Sequence, residues 1–527
     1  MAKFSVLDVT LRDGGCVNDF SFGQSYMDKI LAALEDSGVE YIELGYLDKN
    51  KGSEQGRTQY INERVIPQYF LKGKKPGVTY VAMMDYGKFD PESLGPRSEN
   101  GIDGIRLAFH KKNRKDIIKL GRTIIDKGYK FFVQPMITLR YSDAELIGLI
   151  DDVNRYLPDA SGFYIVDSFG EMRPNDMMRI MNLADHDLIP SMPLGFHSHN
   201  NLQMSYSNAI SLLQFATKRD LMLDCSVMGM GKGAGNLNTE LLLEHMNIFY
   251  DKHYNTAPLL RLIDEVINPI RAEYNWGYSV EYYLSSINHC TPSYAGHFYN
   301  KHMLPIDQVA ELLSLIDEEK KISFDREYAE QLYLEYNARK NFDDTQVVAA
   351  LKEEFARKRI LLIAPGKSII AAREDIQAEI EKENTVSISL NNQAFQTDYI
   401  FATRQDAFQE AVKAGKPVIT SSNITCLTDE KVRVIDYQKW VVVDGEVQDS
   451  SGTFTLNLLS ECGPAELILA GFDGFHVNVD KNYYDKSMNH QITAKQAEKR
   501  NAYYRRFIKK LRGKVPIRFL TGSLYEE

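Results

Sequence analysis

The sequence predicts an N-terminal (β/α)8 TIM barrel with a helical extension, followed by a C-terminal Rossmann-like α/β domain. Three observations lead there. Eight short β-rich runs alternate with longer stretches of helical periodicity through about residue 230; this is the pattern of a parallel sheet covered by helices, and eight strands close into a barrel. Polar segments rich in His, Asp, Arg and Gly stand where several of those runs end, the end at which a barrel keeps its chemistry. A fresh α/β alternation starts at Arg359, just after the charged stretch Lys352–Lys358.

The expected barrel strands are Ser5–Thr10, Tyr41–Leu44, Thr79–Met84, Gly104–Ala108, Phe131–Pro135, Gly162–Val166, Pro193–His197 and Leu223–Val227. Between them, Gln24–Ser37, Arg114–Lys127 and Ser142–Tyr156 repeat apolar residues every three or four positions, as amphipathic helices do. An open doubly wound sheet is the alternative reading of the same alternation. Residues 241–355 read as mostly helical, with a tyrosine-rich patch from Tyr274 to Tyr299. The expected organisation is therefore a barrel over 1–240, a helical extension contributing to the active site over 241–355, and a Rossmann-like unit over 356–527. Strands of the last are expected at Arg359–Ala364, Thr385–Leu390, Tyr399–Ala402, Pro417–Thr420 and Glu466–Ala470. Pro365-Gly366-Lys367-Ser368 follows the first of these; its single glycine lacks nucleotide-fingerprint spacing and reads as a plain βα turn.

Composition narrows the function classes. The 527 residues carry 62 Lys and Arg against 72 Asp and Glu, a net charge of −10. That balance argues against binding a nucleic-acid backbone or an anionic membrane surface. Five widely spaced cysteines, Cys16, Cys225, Cys290, Cys426 and Cys462, read as reduced thiols rather than a disulfide framework. With no signal core and no run of about 18 apolar residues, the expectation is a soluble cytoplasmic enzyme. Dimer is the default oligomer.

Four strand-end segments carry the chemistry: Thr10-Leu11-Arg12-Asp13-Gly14-Gly15, Val166-Asp167-Ser168-Phe169-Gly170, Phe196-His197-Ser198-His199-Asn200-Asn201, and the glycine-rich Gly229–Asn236. On an extended segment His197 and His199 point to one face. Two imidazoles and one carboxylate form a common divalent-metal set with open positions. In a closed barrel only one strand separates the first from the seventh, so Asp13 reaches that pair. An isolated His-x-His is ordinary in strands; the company of LRDG and GMGKGAGN makes it a site.

The motifs TLRDG, GFHSHNN and GMGKGAGN, in this chain order, with VDS at Val166–Ser168 and WGYSVEYYLSSINH at Trp276–His289, resemble the DRE-TIM metallolyases. This is the superfamily of HMG-CoA lyase-like enzymes and pyruvate aldolases, and the resemblance is nearest to the 4-hydroxy-2-oxovalerate aldolase branch. It spans roughly residues 1–300. It implies Asp13, His197 and His199 as metal ligands, with Mn²⁺ favoured and Mg²⁺, Co²⁺ or Zn²⁺ compatible. It makes Arg12 the group that grips pyruvyl oxygens, Ser168 a neighbour of the substrate carboxylate, Asn236 a substrate-binding group near the metal, and Tyr282 a catalytic residue reaching in from the extension. The partners implied are a 2-oxo acid and an aldehyde.

Each residue also has a structural reading. Arg12 could pair with Glu43, Ser168 could turn the chain, Asn236 could cap its loop, and Tyr282 could be packing. Where the resembled aldolases place a base histidine, this sequence has Cys16, whose thiol could accept a proton if its pKa were lowered; His110 and His289 are the other candidates. Lys232 is read as an anion-binding or solvent-facing group rather than a Schiff base. Leu469–Gly474 and Thr521–Tyr525 resemble bacterial surface-polysaccharide proteins, implying a polyhydroxylated or nucleotide-linked aldehyde. Acyl-CoA-dependent condensation or lysis on the same framework, and a catalytically silent binding scaffold, are the alternatives.

Overall fold

The computed structural model describes residues 3–526 apart from 71–72, 302–303, 340–341, 425–429, 445, 449, 486–487 and 489–493. Contacts divide the chain into two compact units, Met1–Pro292 and Ser293–Glu527.

The first unit is a closed parallel barrel. Its strands are β1 (Phe4–Asp8), β2 (Tyr41–Leu47), the two-residue β3 (Gln59–Tyr60), β4 (Thr79–Asp85), β5 (Gly104–Phe109), β6 (Lys130–Pro135), β7 (Gly162–Asp167), β8 (Leu194–Ser198) and β9 (Leu221–Cys225). β1 pairs with both β9 and β2, and β2 with β4, so eight strands close the ring while β3 rides on the end of β2. The open-sheet alternative is thereby excluded. Helices between successive strands include Gln24–Ser37, Asp116–Asp126, Asp143–Tyr156, Pro174–Asp187 and Ser205–Leu213. Their ends follow local chemistry. Ser142 and Glu145 form a reciprocal capping box at the start of Asp143–Tyr156, and Gly38, at φ +86°, closes Gln24–Ser37 in a left-handed conformation.

Side chains alternate between two cores with the strand period. Ile42, Tyr80, Ala82, Ile105, Leu107, Phe163, Ile165, Leu194, Phe196, Leu221 and Leu223 face the helices. The other parity fills the barrel: Leu7, Val9, Val81, Phe132, Tyr164, Val166 and Met222 make one interior cluster. The eighth barrel strand lies two residues earlier than expected, because the chain turns at Val227–Gly229 with Met228 at φ 50°. β3 was not anticipated; two residues give no periodicity.

The second unit holds a seven-stranded sheet. Its members are β10 (Arg359–Ile363), β11 (Thr385–Leu390), β12 (Tyr399–Ala402), β13 (Val418–Ser421), β14 (Val432–Ile435), β17 (Glu466–Ala470) and β18 (Ile517–Phe519), with β15 (Val442–Asp444) and β16 (Glu446–Gln448) forming a separate antiparallel pair. All pairings in the sheet are parallel, in the order β14-β13-β12-β11-β10-β17-β18. The order reverses direction beside β10, as in doubly wound α/β sheets. Two edge strands, Val-Arg-Val-Ile and Ile-Arg-Phe, escaped the sequence reading because each is short and interrupted by an arginine. Cys16, Cys225 and Cys462 carry free thiols and Cys290 is buried; Cys426 lies outside the described residues. Among the described residues, no helix is long and apolar enough to cross a membrane.

Candidate active site

The inward columns of the barrel strands end in polar residues. On β8 the column Gly195, His197, His199 runs opposite in parity to the helix-facing Leu194 and Phe196, so both imidazoles enter the barrel mouth. Asp13 comes from the turn after β1, which Val9 O holds by accepting the amides of Arg12 and Asp13. One ligand-capable atom from each of Asp13, His197 and His199 lies within 4.8 Å of the others, and all three side chains are buried.

Three layers of contacts fix these groups. Arg12 donates from Nε to Glu43 Oε2 at 2.6 Å and from Nη1 to Asp13 Oδ1 at 2.6 Å, so the Glu43 pairing anticipated from sequence exists alongside the site role. His197 Nδ1 meets Asp224 Oδ2 at 3.0 Å, which leaves Nε2 for the Asp13 side. Beneath both sits Arg106, fully buried, donating to Glu43 Oε2 at 3.0 Å and to Asp224 Oδ2, with its guanidinium 4.7 Å from the Tyr164 ring centroid. A single buried cation thus braces the partner of Arg12 and the partner of His197.

The glycine-rich loop closes the third side. Asn236 Nδ2 donates to Asp13 Oδ2 at 2.7 Å and to Met230 O at 3.2 Å. A Cβ at Gly231 would stand 2.3 Å from that amide nitrogen and 2.5 Å from Asp13 Oδ2, so only glycine lets the loop approach this closely. Gly235, at φ +82°, would drive a Cβ to within 1.8 Å of Gly229 O. Lys232 at the crown of the loop is exposed.

The electrostatics suit cation binding. Burial alone would neutralise Asp13, but Arg12 and the two imidazoles outweigh it and hold the carboxyl well below its usual range. Burial lowers His199 to about 4, against the pull of Asp13, so the ring is neutral at pH 7. The buried atoms here without hydrogen-bond partners include His199 Nδ1, which is 3.8 Å from Asp13 Oδ2, and Arg12 Nη2, besides one oxygen each of Glu43, Asp224 and Asn236. Each such group costs about 1–3 kcal/mol unless something answers it. A lone-pair nitrogen beside a carboxylate oxygen fits a divalent cation, and a free guanidinium N–H beside them fits a ligand oxygen.

The remaining expected residues fall around this centre. Ser168 continues the inward column of β7 and its Oγ accepts from Ile137 N at 3.0 Å. Ile137 itself is left-handed at φ 55°. Tyr282 lies on the helix Val280–Ile287, one turn before Ser286, whose hydroxyl donates to Phe169 O at 2.6 Å. Residues four apart share a helix face, so Tyr282 stands on the side docked against the β7 loop. Cys16 follows the β1 turn. Although the side chain is exposed at the mouth, crowding by the surrounding protein and Asp13 push its thiol up, opposite to the lowering that a thiolate base requires. His289 turns back at φ 58° to place Nδ1 2.6 Å from Glu171 Oε2. His110 closes the inward column of β5.

Arg106 and Asp224 were missed from sequence. Each had a signal: one charge inside an otherwise apolar strand, in Gly-Ile-Arg-Leu-Ala-Phe and Leu-Met-Leu-Asp-Cys. Asp224→Asn is expected to weaken metal binding about 10–100-fold, the usual cost of losing a carboxylate behind a ligating histidine; competition against a chelator measures it.

Parts of the chain are similar to known proteins. Residues 106–266 match the HMGL-like family. The chain is 28% identical over 246 residues to 4-hydroxy-2-oxovalerate aldolase 2 of Comamonas testosteroni, covering 46% of this chain and 67% of that protein. It is 29% identical over 246 residues to 4-hydroxy-2-oxovalerate aldolase 1 of Cupriavidus metallidurans, covering 46% and 68%. Among solved structures, the N-terminal domain of a provisionally named aldolase from Bacteroides vulgatus aligns at 25% identity with a TM-score of 0.46, over 59% of this chain and 97% of that one.

Proposed function

We propose that this protein is a divalent-metal-dependent aldolase that cleaves or forms a 4-hydroxy-2-oxo acid, with pyruvate and an aldehyde as the two fragments. The observation that carries the reading is the unpartnered Arg12 Nη2 beside Asp13, His197 and the unpartnered His199 Nδ1. A divalent ion held by Asp13, His197 and His199, Mn²⁺ by resemblance and Mg²⁺, Co²⁺ or Zn²⁺ by donor chemistry, would supply Lewis acidity toward the 2-oxo acid.

The chain's own residues do the rest. Arg12 is held at two of its nitrogens and presents the third, a preorganised donor for the oxygen that becomes an enolate. Ser168 borders the substrate carboxylate. Asn236 keeps Asp13 in place and borders the substrate from the loop side. Tyr282 reaches in from the helical segment after the barrel as a proton-handling phenol. Cys16 lines the wall as a neutral thiol, and Cys16→Ser is expected to lose less than about tenfold of turnover, short of the 10²–10⁴-fold contribution of a general base; steady-state cleavage kinetics decide it. The resemblance of residues 469–474 and 521–525 to surface-polysaccharide proteins supports a polyhydroxylated aldehyde and a place in carbohydrate metabolism. We place the enzyme in the cytosol as a homodimer.

The test is pyruvate in D₂O with the protein loaded or stripped of Mn²⁺, following the methyl proton signal by NMR. Metal-dependent exchange is the expected result. Absence of exchange, with or without added aldehyde, together with thiol release from acetyl-CoA and a 2-oxo acid, would replace the aldolase with a Claisen-type enzyme.

A further inference from the structure

The barrel mouth contains several groups able to accept a proton, and nearly all are committed. Asp13 is bound to Arg12 and Asn236. Glu43 takes bonds from Arg12 and Arg106, and Asp224 from Arg106 and His197. Glu171, on the loop after β7, is taken by His289 and lies 3.5 Å from Arg140 Nε. A further carboxylate of the mouth takes no guanidinium hydrogen bond among the described residues.

That carboxylate is Asp85, the last residue of β4. It shares parity with Val81, which packs inside the barrel, while Tyr80, Ala82 and Met84 face the helices. It therefore points into the mouth, one step above the interior core, and is only half-buried. Tyr46, returned to the inward face by the irregularity between Glu43 and Tyr46 in the β2–β4 pairing, donates its phenol to Asp85. The charges facing Asp85 are Arg12 and Cys16 from the β1 turn, Tyr46 from β2, Lys88 from its own loop and His110 from the end of β5. His110 faces Asp85 and Lys112, so Asp85 feels both His110 and Arg12.

We propose that Asp85 is the catalytic group that takes the proton from the C4 hydroxyl of the 4-hydroxy-2-oxo acid, with Tyr46 and His110 as its positioning residues. The assignment rests on the aldolase reading above. In the cleavage direction the O4 proton passes to the Asp85 carboxylate, and the C3–C4 bond breaks as C4=O forms. The C3–C4 electron pair becomes the C2=C3 double bond, and charge gathers on O2 at Arg12. The aldehyde leaves, Asp85 returns its proton to C3, and pyruvate results with nothing left over. Burial raises the Asp85 carboxyl above its ordinary value while the Tyr46 hydrogen bond restrains that rise, the direction that favours returning the proton.

The test uses the Mn²⁺-loaded full chain with 4-hydroxy-2-oxopentanoate, pyruvate release being the readout, or addition of pyruvate to glyceraldehyde if the wild type exchanges pyruvate protons but leaves this acid intact. Asp85→Asn is expected to cut kcat at least about 100-fold with KM within about twofold, metal content unchanged and the acidic limb of the pH profile gone. Asp85→Glu is expected to recover at least about tenfold of that loss. Tyr46→Phe, which removes the bond that restrains the carboxyl's rise, is expected to move the acidic limb to higher pH. An Asp85→Asn enzyme within about threefold of wild-type kcat, or a Tyr46→Phe limb that stays in place, overturns the assignment and leaves the aldolase reading intact. A wild type without metal-dependent pyruvate exchange overturns the reading itself.

Discussion

Arg12→Ala is expected to slow metal-dependent proton exchange of pyruvate about 10²–10³-fold, the usual cost of deleting one preorganised oxyanion donor. The size follows from how the guanidinium is held. Glu43 at Nε and Asp13 at Nη1 fix its plane, and the unpartnered Nη2 is buried. A donor already desolvated and already oriented needs little rearrangement as charge gathers on a substrate oxygen. Metal content distinguishes this effect from collapse of the site. Asp13, His197 and His199 all remain in Arg12→Ala, so the ion is expected to stay bound while exchange is lost. Arg12→Lys keeps the charge without the fork and is expected to recover only part of the rate.

Arg106→Met is expected to destabilise the first unit by about 3–5 kcal/mol, as when one partner of a buried ion pair is removed; denaturant unfolding measures it. Arg106 is fully buried between Glu43 and Asp224 and lies over Tyr164. Methionine fills much of the volume and removes the only cation shared by the two carboxylates. Against its burial, Arg106 holds the Asp224 carboxyl below its usual range, and a carboxyl lowered in the folded state contributes stability above its unfolded pKa that is lost as pH falls through the folded one. The deficit is therefore expected to be full near neutral pH and to shrink as the solution is acidified below the ordinary carboxylate range, whereas a defect of packing alone would be insensitive to pH. Metal binding is expected to weaken as well, because Asp224 orients His197.

Much of this was legible in the chain. The barrel strands were located to within about three residues, because burial on both faces leaves apolar runs that stand out between amphipathic helices. The ligand-capable trio was legible because His197 and His199 share strand parity and Asp13 lies in the turn after a strand two places round the ring. Five strands of the second sheet were legible for the same reason, and its two arginine-bearing edge strands were not. The role of Asn236 was read toward the substrate, yet its amide also holds Asp13; spacing cannot choose between those two oxygens.

The sequence by itself determined the architecture and the chemical type of the site. Strand and helix periods are local, and motifs at strand ends inherit their positions from the topology. Only the tertiary structure decided which partner each charge takes. Arg106 and Asp224 are 118 residues apart, and Arg12 and Asn236 reach Asp13 from sequence separations of 1 and 223. The same packing left Asp85 without a guanidinium hydrogen bond among the described residues and pushed the Cys16 thiol up rather than down. These are sums over desolvation and neighbours drawn from every strand of the ring, and no window of sequence contains them.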